Sequence, residues 1–193
     1  MIAQISVMFV DVRGFTALSE KFQPTTVVAR LNRFYAVAAR SAFALDGTLD
    51  KMVGDEVMAF FGAPFRPEDH AARAVQAALE IVSRTQSPAD GGEGLPVGGG
   101  VATGEVFMGN VGEGEFRDFT VIGDTVNTAA RLQALAGPGE VLVTDDTYHA
   151  VSAKFSSNEE RTLELKGKEA PLIAHVLRTE AQQAKTGRAG GTS

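Results

Sequence analysis

Two aspartates, each beside a strand-like apolar run, constrain the fold of this chain most. Residues 5–10 (Ile-Ser-Val-Met-Phe-Val) are typical of a buried strand that ends at Asp11. Asp55 lies in a Gly-Asp turn between two further apolar segments, 48–53 and 56–61, which predicts a hairpin. Taken singly, Asp11 also fits a helix cap and Asp55 an ordinary turn residue. Taken together at adjacent strand ends, two carboxylates can hold a pair of hard cations.

Apolar periodicity predicts alternating strands and helices along the chain. After Pro24, a spacing of three and four indicates a long helix with one apolar face. The order of the elements predicts an α+β fold with a ferredoxin-like or palm-type core, in which a mostly antiparallel sheet carries its flanking helices on one side. The predicted strands are 4–11, 48–53, 56–61, 97–103, 105–110 and 116–122, the helices are 14–22, 24–45, 67–86 and 125–136, and short strands surround a small helix (144–149) within 140–177. The inward positions of the long helix are predicted to be Val28, Leu31, Tyr35, Ala38, Ala42 and Leu45.

Composition fits one globular domain. The chain has 193 residues, of which 44% are hydrophobic and 22% charged, enough for a single core. It contains no cysteine, no apolar stretch long enough to span a bilayer and no signal peptide. We therefore expect a cytoplasmic location, either for a stand-alone protein or for the cytosolic domain of a larger one. A net charge of −6 argues against nucleic-acid binding. Residues 1–178 form the expected domain, and 179–193 the expected disordered tail.

A third motif occupies residues 119–132, Phe-Thr-Val-Ile-Gly-Asp-Thr-Val-Asn-Thr-Ala-Ala-Arg-Leu. Asn127 and Arg131 are four residues apart on a predicted helix, so both project from one face. An amide that orients a sugar and a guanidinium that meets a phosphate would suit a nucleotide site. Both residue types are also common on a solvated helix face. The small residues 128–130 predict close packing against another surface, such as a second subunit.

Together these motifs resemble the catalytic domain of class III adenylyl cyclases. The matching segments are Phe9-Val-Asp-Val-Arg-Gly-Phe-Thr16, Lys51-Met-Val-Gly-Asp55 and Thr120-Val-Ile-Gly-Asp-Thr-Val-Asn-Thr-Ala-Ala-Arg131. The resemblance covers roughly residues 5–177 and implies the adenylyl/guanylyl cyclase fold and a homodimer with two shared active sites. It also implies a phosphorus–oxygen lyase that converts ATP to 3′,5′-cyclic AMP and pyrophosphate. In that reaction the ribose 3′-hydroxyl attacks the α-phosphate with the help of two divalent cations, Mg²⁺ or Mn²⁺.

The resemblance assigns roles to the residues around the reacting atoms. Asp11, Asp55 and the main-chain carbonyl of Val12 correspond to the metal ligands. Asn127 corresponds to the residue that positions the ribose. Arg131 corresponds to the residue that stabilises charge on the α-phosphate in the transition state.

Four further residues would hold the base and the terminal phosphates. The resemblance makes Lys51 the base-selecting lysine and Thr120 its partner. Lys51 can only donate, which suits N1 of adenine, and the Thr120 hydroxyl can accept from the 6-amino group, so we expect ATP over GTP. Because a hydroxyl also donates, Lys51 is expected to carry most of this selectivity. With threonine at this position, the chain is similar to a subgroup that includes bicarbonate-responsive cyclases. Lys166 and Arg117 would contact the phosphates, and both also fit ordinary surface charge.

Two other interpretations stay open at the level of sequence. The chain could be a non-enzymatic nucleotide-sensing or dimerisation module, although such degenerate members usually lose a metal, ribose or phosphate residue and none is missing here. It could also be another palm-type enzyme such as a diguanylate cyclase, given Gly54-Asp55-Glu56, but valines occupy the positions that flank this turn. His70, His149 and His175 show no metal-site spacing and are expected to be structural or surface residues.

Overall fold

The computed structural model describes residues 1–88, 91–112, 118–157, 159–164, 167, 170–179 and 183. Within these ranges, strands and helices alternate in the predicted α+β order, which confirms the fold class. The strands are β1 (Ile2–Val12), β2 (Thr48–Val53), β3 (Glu56–Phe61), β4 (Val97–Val111), β5 (Asp118–Ile122), β6 (Val141–Thr144), β7 (Glu160–Leu163) and β8 (Leu172–Leu177). The helices are α1 (Phe15–Lys21), α2 (Pro24–Ala44), α3 (His70–Gln86), α4 (Asp124–Leu135) and α5 (Asp145–Val151).

The strands form one mixed sheet in the order β2-β3-β1-β4-β6-β8-β7, and β5 pairs with the far end of β4. Among the described strands, every pairing is antiparallel except β4 with β6. β1 lies at the centre, paired with β4 along its whole length and with β3 from Ser6 to Asp11. The break that the sequence predicts inside β4, at Gly104, is absent because Gly104 pairs with Ile5 in this long ladder.

Helices cover both faces of the sheet. Successive side chains of a strand point to opposite faces, and in β1 Met8 and Val10 join the core under α2 and α3. Ile5 and Val7 join a second core with Ala129 of α4. The expectation of helices on one side only is therefore wrong. A strand that is apolar on both faces needs cover on both.

The buried face of α2 begins later than predicted. Its buried residues are Phe34, Ala38, Ser41 and Ala42, a spacing that follows one helical stripe. The predicted inward position Val28 is 55% exposed, since it lies about a quarter turn away from this stripe. Within the described ranges, neither α2 nor any other helix is long and apolar enough to cross a bilayer.

Two of the three histidines, His70 and His175, serve packing and polar contacts in the core, whereas the His149 side chain is exposed. The Ser6 hydroxyl lies 2.9 Å from Nδ1 of His70 and 2.7 Å from Oγ1 of Thr103. Burial lowers the pKa of His70, so the ring stays neutral near pH 7. His175 is buried and stacks on the ring of Tyr148, with the ring centroids 4.0 Å apart. These positions agree with the structural role expected for both histidines.

Candidate active site

The end of β1 and the β2–β3 turn bring Asp11 and Asp55 together. The main-chain N–H of Val12 donates to the carbonyl oxygen of Asp55 at 3.1 Å, which fastens the turn to β1. Gly54 adopts the left-handed conformation (φ 59°) that the turn requires and that glycine accepts without steric cost. The Tyr35 hydroxyl of α2 donates to the Gly54 carbonyl and holds the turn from the other side. Sequence reasoning missed this role, because it treated Tyr35 only as part of an apolar face.

Burial and electrostatic repulsion both disfavour negative charge on this pair. The pKa of Asp11 is raised to about 6, first by burial and second by the nearby carboxyl of Asp55. Arg13 opposes this rise from 3.1 Å, while its guanidinium also donates to the Gln133 carbonyl at 3.0 Å. Burial, followed by Asp55, also raises the pKa of Glu56. Negative charge therefore exceeds the positive charge that Arg13 supplies, which favours a bound cation.

The donor set fits a hard divalent cation. Oδ1 of Asp11 is buried and has no hydrogen-bond partner among the described residues. Such an atom is costly unless something binds it. No group of three or more histidine, cysteine or carboxylate side chains forms a metal cage in the part of the chain that the structure describes. A site built on two carboxylates leaves coordination positions for phosphate and water, as is usual for Mg²⁺.

A second group joins Lys51 of β2 to Thr120 of β5. Between them lies Asp50, whose carboxylate is 3.4 Å from the Thr120 hydroxyl and 3.8 Å from Nζ of Lys51. Sequence reasoning missed Asp50, because neighbouring residues of a regular strand point to opposite faces. The pairing of β2 with β3 shifts register between Leu49 and Lys51, and this irregularity was the structural signal.

The third group lies on α4, where Asn127 is exposed and Arg131 is half-buried one turn further along. The small residues that precede Arg131 pack closely against β4 of the same chain. A Cβ on Gly100 of β4 would lie 2.4 Å from the main-chain nitrogen of Gln133 and 2.5 Å from the carbonyl oxygen of Ala129. The helix backbone therefore rests directly on the strand.

Lys166 and Arg117 lie outside the described residues. Gly167, which follows Lys166, is described, and a Cβ built on it would lie 3.8 Å from Nη2 of Arg131. Gly167 therefore lies close to the Arg131 side chain. The expected tail, 179–193, lies outside the described residues except for positions 179 and 183.

Comparison with known proteins gives the family. The sequence-family model for the adenylate and guanylate cyclase catalytic domain matches residues 1–179. The solved guanylyl cyclase Cya2 has a TM-score of 0.84 and 29% identity, covering 93% of this chain and 95% of that one. The adenylyl cyclase CyaB from P. aeruginosa has a TM-score of 0.83 and 31% identity, covering 93% of this chain and 96% of that one.

Curated sequences agree. An adenylate cyclase of Anabaena cylindrica is 32% identical over 190 residues, which is 91% of this chain and 37% of that protein. A protein of Mycobacterium tuberculosis with no assigned activity is 37% identical over 175 residues, 86% of this chain and 31% of that protein. The chain thus spans about a third of the length of these curated relatives. By sequence and by fold, it belongs to the family of class III adenylate and guanylate cyclase catalytic domains.

Proposed function

We propose that this domain converts ATP to 3′,5′-cyclic AMP and pyrophosphate at the interface of a homodimer. The observation that carries the proposal is the half-buried Asp11–Asp55 pair, in which repulsion raises the pKa of Asp11 and Oδ1 of Asp11 has no hydrogen-bond partner among the described residues. Family membership supplies the reaction class. The relatives include both adenylyl and guanylyl cyclases, so the choice of ATP rests on the side chains of this chain. Since ATP is the proposed substrate, we place the domain in the cytoplasm.

The groups of the site would divide the work. Asp11, Asp55 and the Val12 carbonyl would hold two divalent cations, Mg²⁺ or Mn²⁺. Such cations, when bound, acidify the ribose hydroxyl and neutralise charge on the triphosphate. Asn127 would orient the ribose so that its 3′-oxygen is in line with the α-phosphorus. Arg131 would stabilise the charge that develops on the α-phosphate as pyrophosphate leaves.

Selection of adenine would fall to Lys51 and Thr120. The Lys51 ammonium donates to N1 of adenine, where guanine carries a hydrogen instead. Thr120 accepts from the 6-amino group, where guanine carries an oxygen. Lys166 and Arg117 would bind the terminal phosphates as cations.

A shared site would require the pairing of two copies. Large apolar side chains are exposed on β2 and β5 beside the base-selecting residues, namely Met52, Val53, Phe119 and Ile122. Contiguous exposed apolar surface commonly marks an interface. In the proposed dimer, the aspartates of one chain act with Lys51, Thr120, Asn127 and Arg131 of the other.

Product analysis tests the proposal. The purified chain is incubated with Mg-ATP, Mn-ATP or Mg-GTP, and cyclic nucleotides are separated and quantified. We expect cyclic AMP as the main product, and none from Asp55→Ala. Cyclic GMP as the main product would reject adenine selection, whereas binding of an ATP analogue without any turnover would favour a non-enzymatic module.

Lys51→Glu with Thr120 retained should shift the preference towards GTP, and an unchanged ATP preference would exclude Lys51 as the main selector.

A further inference from the structure

Asp50 is a buried carboxylate to which the proposed chemistry gives no task. Its side chain is only 3% exposed, although it stands on β2, a strand at the edge of the sheet. A carboxylate is rarely withdrawn from water to this extent without charged or hydrogen-bonding partners. Two of its contacts are the pair of residues proposed to read the base, Lys51 and Thr120.

The strand irregularity explains how Asp50 and Lys51 can serve one pocket. In regular β-structure, adjacent side chains point to opposite faces. The β2–β3 pairing runs Leu49 with Ala59 and then Lys51 with Met58, so Asp50 is the extra residue of a bulge. Bulges re-aim side chains in this way. Here the bulge directs the Asp50 carboxylate towards β5, while the Lys51 side chain stays half-exposed.

The contact with Thr120 has a defined direction. An ionised carboxylate can only accept, so the Thr120 hydroxyl must be the donor. Thr120 is buried (8% exposed), and its hydroxyl has a single proton. Once that proton points to Asp50, the oxygen offers only lone pairs to a ligand. The contact of 3.4 Å is long for this type of bond and leaves room to tighten when a base enters.

We propose that Asp50 is a positioning residue that fixes the hydrogen-bond polarity of the base pocket by making Thr120 an acceptor beside the donor Lys51. This inference rests on the proposed function and deepens it. An acceptor at Thr120 and a donor at Lys51 match the 6-amino group and N1 of adenine. Both oppose the 6-oxo group and N1–H of guanine. Selectivity against guanine therefore comes from three residues, and Thr120 rejects guanine more firmly than a free hydroxyl would.

Asp50→Asn tests this polarity with almost no change in shape. The carboxamide can donate to the Thr120 oxygen, which frees the Thr120 proton to face the base. Affinity is measured for 3′-deoxy-ATP and 3′-deoxy-GTP in the presence of Mg²⁺, since these analogues lack the attacking hydroxyl and report base preference without turnover. We expect the preference for the adenine analogue to fall by about tenfold or more, the usual effect of losing a hydrogen bond to a charged group. Glu68→Gln, which neutralises an exposed carboxylate, should leave the preference unchanged.

A double-mutant cycle separates positioning from a merely structural role. If Asp50 acts through Thr120, Asp50→Asn should have no further effect on base preference in a Thr120→Val background. Thr120→Val alone should lower the preference, and Thr120→Ser should retain it, so an unchanged preference in Thr120→Val overturns the inference even if Asp50→Asn folds poorly. A structural role would weaken both analogues equally.

The outcomes separate this inference from the proposed function. An unchanged adenine preference in Asp50→Asn, or an equal loss for both analogues, overturns the role of Asp50 while cyclic AMP formation by the native chain stands. Failure of the native chain to make a cyclic nucleotide overturns the proposed function, and the binding preference still decides the role of Asp50.

Discussion

Asp11 and Asp55 illustrate how a residue pair that is unfavourable for folding can suit a proposed metal site. Their carboxylates are held together by the main-chain bond from Val12 to Asp55, and burial with mutual repulsion raises the pKa of Asp11 to about 6. Without a cation, the pair opposes the folded state near neutral pH. In the proposed function, the same arrangement would bind a cation with little rearrangement.

Asp55→Asn should therefore separate activity from stability. We expect cyclase activity to fall about 100-fold or more, because a proposed metal ligand is lost. We expect the Tm of the metal-free protein to rise by about 2–4 °C for each kcal/mol of repulsion that is relieved. Mg²⁺ should raise the Tm of the native chain but not that of the variant, as measured by thermal unfolding with and without EDTA. A lower Tm for metal-free Asp55→Asn would contradict the repulsion, and Glu68→Gln is the charge-matched control.

At the level of single residues, sequence motifs located the candidate site residues but not the residues that support them. Asp11 and Asp55 could be predicted because each stands beside a recognisable strand and turn. Asp50, Arg13 and Tyr35 could not, since each acts on a segment that is distant in the sequence. Arg13, for example, reaches the carbonyl of Gln133 across the sheet. Such contacts depend on how the elements pack, which local patterns do not contain.

Among the elements, α4 owes its position to glycine in β4. Gly100→Ala would drive a methyl group into the backbone of Gln133, whose nitrogen would lie 2.4 Å away. We expect a loss of about 1–3 kcal/mol in unfolding free energy and a clear drop in cyclase activity, because α4 carries two site residues. Gly99→Ala adds the same methyl group on the other face, where the nearest atom would be Val10 Cγ1 at 3.3 Å. Equal losses in both variants, measured by urea unfolding, would argue against this close contact.

Glu140 ties the start of β6 to β7 and β8. It accepts from the Gly137 N–H at 2.8 Å, from Arg161 at 2.8 Å and from Arg178 at 2.7 Å. Burial alone would raise the pKa of Glu140, but these hydrogen bonds outweigh it and lower the value to about 2. The contribution of Glu140 to stability should be complete above its ordinary pKa of 4.5 and lost as the pH falls towards 2.

Glu140→Gln should accordingly reduce stability most at neutral pH. We expect a loss of about 1–3 kcal/mol at pH 7, because the two arginines lose a charged acceptor. The difference between the native chain and the variant should shrink as the pH falls below 4.5, when unfolding is followed by urea titration at a series of pH values. A difference that is independent of pH would show that the charge of Glu140 is not what stabilises these strands.

Most elements could be predicted from periodicity, whereas their placement in layers could not. The β2–β3 hairpin has the predicted bounds, since its turn and apolar runs are local signals. β4 was divided at Gly104 because an isolated glycine looks like a break, yet pairing with β1 carries the strand through. The position of α4 on the second face depends on β1 being apolar on both faces. In α2, Val28 was wrongly predicted to face inward, because residue spacing alone does not reveal where the buried stripe begins.

For the whole molecule, the proposed dimer predicts that two inactive variants can restore activity when mixed. Asp55→Ala removes the metal side of a site and Arg131→Ala the nucleotide side. In a mixed dimer, one site carries both defects and the other is intact, so we expect about a quarter of native activity after random assortment. Mixing Asp55→Ala with Asp11→Ala should restore nothing, because both defects fall on the metal side. Failure of both mixtures would mean that each chain builds its own site.

The central place of β1 gives the two aspartates different local stabilities. Asp11 belongs to a strand that is bonded on both edges, whereas Asp55 belongs to the tip of a hairpin at the rim of the sheet. Backbone amides of β1 should exchange their hydrogens with solvent only when the whole domain opens, and those of the tip through small local fluctuations. If a ligand bridges both carboxylates, the conformational entropy lost on binding would therefore come almost wholly from the tip. We therefore expect Asp11 to keep its position when a ligand binds, and the turn that carries Asp55 to become ordered around the ligand.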